Sequence, residues 1–153
     1  MSKPHAESWE RAFAGSDPKG EPTTESGLQQ RVVNHMKRRY PTVRFESHLG
    51  GEKFGTRQAT RVKAMNSHNG YPDFHIIKKT EKYSGLFLEL KKDGVTVYKK
   101  DGTLRKDPHL ESQDAYHKYL VSEGYQAQFV IGYAAAIEVI DEYLKDIGQQ
   151  KLW

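Results

Sequence analysis

Cysteine is absent from the 153-residue sequence, which excludes disulfide bonds, thiolate catalysis and any zinc site with cysteine ligands. Long apolar runs are absent as well, because no stretch approaches the ~20 apolar residues that a membrane-spanning helix needs. The first residues also lack the apolar core of a signal peptide. We therefore expect an intracellular, cytoplasmic protein that does not enter the membrane.

Negative charge is scarce in the middle of the chain. Residues 31–106 contain 18 basic and 7 acidic side chains, a balance of +11, whereas residues 107–153 contain 3 basic and 8 acidic ones, a balance of −5. A concentrated positive region suits a polyanion such as nucleic acid, although a solvated lysine-rich surface explains the charge equally well when it is considered alone. Candidate DNA contacts in this region are Lys53, Arg57, Arg61, Lys63 and Lys92.

Composition divides the chain into a tail and one folded domain. Residues 1–22 are rich in Gly, Pro, Ser and charge, show no periodicity, and are predicted to form a mobile tail. Residues 23–153 carry the periodic apolar patterns and are long enough for one compact domain. Within them, turn signals and apolar spacing predict helices at 24–39, 107–124 and 134–147, a short helical segment ending near 65, and strands at 43–47, 73–77, 86–91 and 125–131.

This order of elements predicts the fold class. A helix, three strands, a helix, a strand and a final helix indicate an α/β layered domain built on a mixed sheet. The strands at 73–77 and 86–91 are joined by a short polar link and are predicted to pair as an antiparallel hairpin. Since the outer ends of a hairpin meet, residues at the start of the first strand and the end of the second should lie close together.

Two short sequence motifs occupy those outer ends. The first is Gly70-Tyr71-Pro72-Asp73, and the second is Glu89-Leu90-Lys91, at the end of an otherwise apolar strand. Charges on such a strand are costly to bury unless something pairs with them. A structural salt bridge between Glu89 and Lys91 is one explanation. The nearby Asp73 favours another, in which both carboxylates bind a metal ion.

A divalent cation would account for these residues together. Magnesium accepts carboxylate ligands on one side and a phosphate oxygen on the other, which is what phosphodiester hydrolysis requires. Asp73 and Glu89 are the expected carboxylate ligands, and the backbone carbonyl of Leu90 could supply a third oxygen. Lys91 would then orient or activate the attacking water and offset the charge that develops on phosphorus.

The chain resembles the PD-(D/E)XK nucleases, and more narrowly the VRR-NUC domain. The resemblance rests on Glu25, on the two motifs described above, and on Gln113 in the helix predicted at 107–124. It implies a restriction-endonuclease-like αβββαβ core with a mixed four-stranded sheet, and a Mg²⁺- or Mn²⁺-dependent nuclease. In that family pattern Asp73 and Glu89 bind the metal and Lys91 serves the nucleophile. Glu25 would be a helix-borne acid that supports a metal, and Gln113 a polar residue beside the active centre.

The family pattern also implies a substrate and an assembly. Stand-alone domains of this type resemble structure-selective endonucleases that act as homodimers on branched DNA such as Holliday junctions. Simpler roles remain open for single residues, since Glu25 could complement a helix dipole and Gln113 could be a surface amide. Tyr71 and Tyr98 could stack on exposed bases, although packing is the more ordinary role of tyrosine.

Two further functions are compatible with the same fold. The first is a non-catalytic nucleic-acid-binding module, which would bind in a salt-dependent way without a metal requirement. The second is a sequence-specific restriction-type nuclease, which would need a recognition segment that this short chain does not display. The sequence leaves open whether one or two metal ions bind and whether DNA or RNA is preferred.

Overall fold

The computed structural model describes residues 24–48 and 56–147. The predicted tail at 1–22 and the candidate DNA contact Lys53 lie outside these residues. The elements, in chain order, are α1 (Glu25–Arg39), β1 (Arg44–Ser47), α2 (Thr56–Ala64), β2 (Phe74–Ile77), β3 (Leu86–Lys91), α3 (Pro108–Ser122), β4 (Gln126–Ile131) and α4 (Tyr133–Tyr143).

The four strands form one mixed sheet in the order β1-β2-β3-β4. Strands β1 and β2 pair antiparallel, β2 and β3 also pair antiparallel, and β3 and β4 pair in parallel. The parallel step requires a crossover, and α3 supplies it. The mixed four-stranded sheet flanked by helices confirms the predicted fold class.

Local signals explain where the two long helices begin. The Thr24 side chain accepts a hydrogen bond from the Gly27 backbone nitrogen at 3.0 Å and so caps α1. Asp107 caps α3 by accepting hydrogen bonds from the backbone nitrogens of His109 and Leu110, and Pro108 occupies the first helical position. Caps of this kind contribute about 1 kcal/mol each because they satisfy backbone donors that have no partner inside the helix.

The last helix is shorter than predicted. The apolar spacing predicts a helix from Ala134 to Ile147, whereas α4 covers Tyr133–Tyr143 and a turn follows at residues 144–146. Leu144 and Ile147 are nevertheless buried in the main core. The apolar spacing therefore predicts the burial of Leu144 and Ile147 correctly, but it predicts a helix that is too long.

The main core lies on one face of the sheet, under α1 and α4. It contains Leu86, Leu88 and Leu90 of β3 together with Phe74 and Ile76 of β2. Helix α3 packs on the opposite face, mainly against β4. The molecule therefore has three layers, and both faces of β3 are buried.

No helix within residues 24–48 and 56–147 is both long enough and apolar enough to cross a membrane.

Candidate active site

The outer end of the β2–β3 pair brings two carboxylates together. Phe74 pairs with Leu88, so Asp73, one residue before β2, lies opposite Glu89. The Asp73 backbone nitrogen donates a hydrogen bond to Glu89 Oε2 at 3.3 Å, and the Leu90 backbone nitrogen donates one to Asp73 Oδ2 at 3.2 Å. Each carboxylate thus caps the backbone of the neighbouring strand, which holds the two side chains next to each other.

A lysine and an amide complete the surroundings of Glu89. Lys91 Nζ lies 3.4 Å from Glu89 Oε1, and Gln113 Nε2 donates a hydrogen bond to the same oxygen at 2.6 Å. Glu89 is 3% exposed and Lys91 is 7% exposed. The structure therefore brings half-buried Asp73 and buried Glu89, Lys91 and Gln113 into one polar cluster, with Gln113 reaching it from α3.

The two carboxylates oppose each other's ionisation. Burial and, after it, the charge of Asp73 together raise the pKa of Glu89 to about 8, although the Lys91 ammonium acts to lower it. Burial also raises the pKa of Asp73 above its ordinary value. Because the desolvated acids repel each other, the pair retains a proton near neutral pH unless additional positive charge enters the site.

The donor set fits a hard divalent cation. Carboxylate and carbonyl oxygens are the ligands that Mg²⁺ and Mn²⁺ prefer. The Leu90 nitrogen points toward Asp73, whereas the Lys91 carbonyl accepts a hydrogen bond from Gly132 on the β4 side. Since backbone groups alternate sides along a strand, the Leu90 carbonyl faces the Asp73 side. The buried Gln113 Oε1 has no hydrogen-bond partner among the described residues, which leaves another oxygen available near the acids.

Glu25 lies at the edge of this cluster. It is the first residue of α1, is half-buried, and is close enough to Asp73 for its charge to raise the pKa of that carboxyl. Within the described parts of the chain, however, no three His, Cys, Asp or Glu side chains are arranged to hold a metal. Glu25 therefore adds negative charge near Asp73 without forming a preorganised three-acid centre.

Gly70 fixes the distance between the Gly-Tyr-Pro-Asp turn and α3. Its φ angle is +94°, and a Cβ atom added there would lie 2.6 Å from the Ser112 carbonyl carbon and 2.9 Å from the Gln113 nitrogen. Only glycine combines that backbone conformation with so close an approach. This contact positions Asp73 and Gln113 relative to each other. Composition identifies Gly70 as turn material, but no signal in the sequence indicates that it contacts α3.

Two histidines of α3 lie beside the cluster, although the histidine spacing in the sequence indicates no ligand pair. His109 Nε2 lies 3.2 Å from Gln113 Nε2, and His117 is buried edge-on against Phe129 with a centroid distance of 4.6 Å. Burial, assisted by the nearby charge of Lys91 and opposed by that of Asp114, lowers the pKa of His117 to about 4. Both histidines lie four residues from Gln113, and this i ± 4 spacing along one helix face was the signal that could have found them.

Among the described residues, three of the predicted DNA contacts lie in the connection between β1 and β2, and one follows β3. Arg57, Arg61 and Lys63 are exposed on α2, and Lys92 is exposed directly after β3. The β1–β2 connection starts and ends beside the acids, because the His48 nitrogen donates a hydrogen bond to the Asp73 carbonyl at 2.8 Å. Both ends of the segment that carries α2 therefore lie at the acid end of the sheet.

Comparison with solved structures finds similar chains. One, described as "VRR_NUC domain protein", is 29% identical, with a TM-score of 0.60 and coverage of 80% of this chain and 88% of that one. Another, described as "VRR_NUC domain", is 23% identical, with a TM-score of 0.41 and coverage of 76% and 97%. No protein-family model matches the chain, and no curated protein matches it closely.

The sheet topology and the acid cluster define a nuclease-type α/β fold. The structural similarity supports a VRR-NUC domain in this chain, in agreement with the motif resemblance.

Proposed function

We propose that this protein is a divalent-metal-dependent endonuclease that hydrolyses phosphodiester bonds of branched DNA. One observation carries the proposal: Asp73, Glu89 and Lys91 converge in one polar cluster. These residues come from two separate sequence motifs. The VRR-NUC fold supports the nuclease class. The branched substrate and the homodimer are what the VRR-NUC resemblance implies, and the metal is inferred from the donor set of the site.

The carboxylates of Asp73 and Glu89 and the Leu90 carbonyl would hold Mg²⁺ or Mn²⁺. A bound ion supplies Lewis-acid polarisation of the phosphate and lowers the pKa of water. The protein's own contribution is to keep both carboxylates hydrogen-bonded to backbone donors. Their orientation is therefore set before a ligand arrives, which reduces the reorganisation needed for reaction.

Lys91 and Gln113 contact Oε1 of Glu89, whereas the Asp73 backbone contacts Oε2. The buried ammonium of Lys91 is the cation available to orient an attacking water and to offset the negative charge that develops on the phosphate. Gln113 fixes Glu89 Oε1 through its 2.6 Å hydrogen bond. Glu25, at the positive N-terminus of α1, would support the metal through its charge rather than by direct contact.

The exposed cations suit a DNA substrate. Arg57, Arg61, Lys63 and Lys92 can contact phosphates without reading sequence, so recognition would depend on the shape of the DNA. A four-way junction has twofold symmetry, and two symmetric cuts require two active sites related by that axis. We therefore include a homodimer in the proposal. Light scattering with junction DNA should give a dimer mass at micromolar protein concentration, and a monomer would contradict it.

Cleavage of labelled substrates tests the proposal. Four-way junction, flap and linear duplex are incubated with pure protein in Mg²⁺ or Mn²⁺ and, separately, in EDTA. We expect metal-dependent cutting that favours the branched substrates. Asp73→Asn, Glu89→Gln and Lys91→Met should each lower the rate more than about 10²-fold while junction binding persists.

Glu138→Gln is the matched control, since this acid is exposed on α4, across the sheet from α3. Cutting in EDTA, no cutting of any substrate, or equal loss in the Glu138→Gln control would contradict the proposal. Binding without any metal-dependent cutting would instead support the non-catalytic module. Cutting confined to one duplex sequence would support the restriction-type alternative.

A further inference from the structure

An uncharged stripe runs along the accessible side of α3. It consists of Ser112, Ala115, Tyr116 and Tyr119, which share a helix face because they are spaced i, i+3, i+4 and i+7. The stripe faces the turn at Ser67–Asn69, and together they line a groove of about 550 Å³. That volume lies in the range of small-molecule sites. This feature is separate from the acid cluster and is not used by the proposed hydrolysis.

Tyrosine rings connect the groove to the acid cluster. The Tyr71 and Tyr116 ring centroids are 5.5 Å apart, and those of Tyr116 and Tyr119 are 6.3 Å apart, both in edge-to-face geometry. Tyr71 is 42% exposed and Tyr119 is 59% exposed. Because Tyr71 is two residues from Asp73, their Cα atoms are at most about 7 Å apart. The aromatic surface therefore begins immediately beside the carboxylates.

The surroundings of the groove favour a nucleotide as its occupant. The segment 56–72 contains Arg57, Arg61 and Lys63 and no acidic residue. Exposed tyrosine faces stack on bases of any sequence. Ser67 and Asn69 in the opposite wall carry donors and acceptors of the kind that bind base edges. A ring face, polar side chains and nearby cations together match a base attached to a phosphate backbone.

We propose that this groove binds an unpaired nucleobase of the substrate, stacked on the exposed ring of Tyr119 with Tyr116 edge-on beside it, while the adjoining backbone passes Asp73 and Glu89. The inference rests on the proposed function, since it assumes that nucleic acid reaches the acids. It also narrows the substrate class. A fully paired duplex offers no free base face, so the preferred substrate has an unpaired nucleotide next to the cleaved phosphate, as at a flap, a bulge or an open junction.

Fluorescence of 2-aminopurine tests the proposal without cleavage. The base is placed at the unpaired position of a flap or bulge, or within an otherwise identical paired duplex, and full-length protein is titrated in EDTA. Stacking on tyrosine should quench the unpaired probe. Tyr119→Ala should weaken binding of the unpaired substrate about tenfold and abolish the quenching, with no change for the paired duplex.

Two variants separate stacking from other effects. Tyr119→Phe keeps the ring and should bind as the wild type does, whereas loss of binding would assign the effect to the hydroxyl and contradict the proposal. Tyr83→Ala removes an exposed tyrosine from the β2–β3 loop, at the opposite end of the hairpin from Asp73, and should change nothing. Circular dichroism verifies that each variant is folded.

The inference would be overturned if the wild type bound neither substrate, if Tyr119→Ala weakened both substrates equally, or if Tyr119→Ala left DNA binding unchanged. In the last case, an altered mass of the protein in solution would assign the groove to a protein interface. Quenching without metal-dependent cutting would contradict the proposed hydrolysis alone, and cutting that ignores Tyr119 would contradict this inference alone.

Discussion

The two faces of β3 have different chemistry although they belong to the same six residues. Leu86, Leu88 and Leu90 face α1 and α4 and belong to the main apolar core. Alternate residues Phe87, Glu89 and Lys91 face the α3 side, where Glu89 and Lys91 are buried without being apolar. The first face stabilises the domain. The second contains desolvated charges that cost stability and, in the proposed function, perform the chemistry.

The comparison predicts that the apolar face dominates stability. Leu88→Ala should lower the free energy of unfolding by about 2–5 kcal/mol, because Leu88 is fully buried and its truncation leaves a cavity. Urea denaturation of the metal-free protein measures the change. Ile77→Ala is the matched control, since Ile77 is largely exposed in β2. Equal losses in the two variants would show that the core is not where the structure places it.

Loss of the close contact between Gly70 and α3 should give the next largest decrease in stability. Gly70→Ala should destabilise the protein by about 3 kcal/mol, because its Cβ would meet the backbone of α3 and its φ is positive. Cleavage activity should fall as well, since α3 must move away from Asp73. Denaturation and the junction-cleavage assay provide the two measurements.

Gly102→Ala separates the cost of the positive φ from the cost of the clash with the α3 backbone. Gly102 also has a positive φ, +83°, but nothing lies within 4 Å of an added Cβ. This variant should lose only about 1 kcal/mol of stability and keep its activity. If both substitutions cost the same, the close approach to Ser112 would contribute nothing.

The polar face predicts an unusual dependence of stability on pH. The folded-state pKa of Glu89 is about 8, above its ordinary value of 4.5, so the folded protein binds more protons than the unfolded chain between these values. In EDTA the free energy of unfolding should therefore fall as pH rises through this window, by at most about 1.4 kcal/mol per pH unit, and level off above it. Asp73 shifts in the same direction.

Glu89→Gln is the control for this dependence. The variant cannot ionise at this position, so it should be more stable than the wild type at pH 8 and nearly equal at pH 5. Denaturation curves across this range measure the difference between the two proteins. A constant difference at all pH values would mean that Glu89 titrates as an ordinary exposed acid.

Much of the fold could be predicted from local patterns. The Thr24 and Asp107 caps, the apolar spacing of α1 and the alternation in β3 are encoded within a few residues of where they act. The hairpin prediction then brought Asp73 to Glu89, because antiparallel pairing fixes the register once the two strands are assigned. The acid pair is therefore largely visible in the sequence.

The rest of the site depends on contacts between distant segments. Gly70 contacts Ser112 and Gln113, which lie more than forty positions away in the sequence. No periodic pattern in the sequence predicts such a contact. The raised pKa of Glu89 follows from burial under α3, which a strand pattern does not specify. The groove beside Tyr119 likewise exists only because the turn at Ser67–Asn69 lies opposite α3.

Calorimetric titration of Mn²⁺ into the metal-free protein at pH 7 tests the central claim most directly. Run in two buffers with different heats of protonation, it reports both binding and proton release. We predict saturable binding with loss of about one proton, because the acid pair must give up its shared proton to bind a cation. Binding should disappear in Asp73→Asn and Glu89→Gln and persist in Glu138→Gln. No saturable binding, or binding that survives in both site variants, would contradict a metal centre at Asp73 and Glu89.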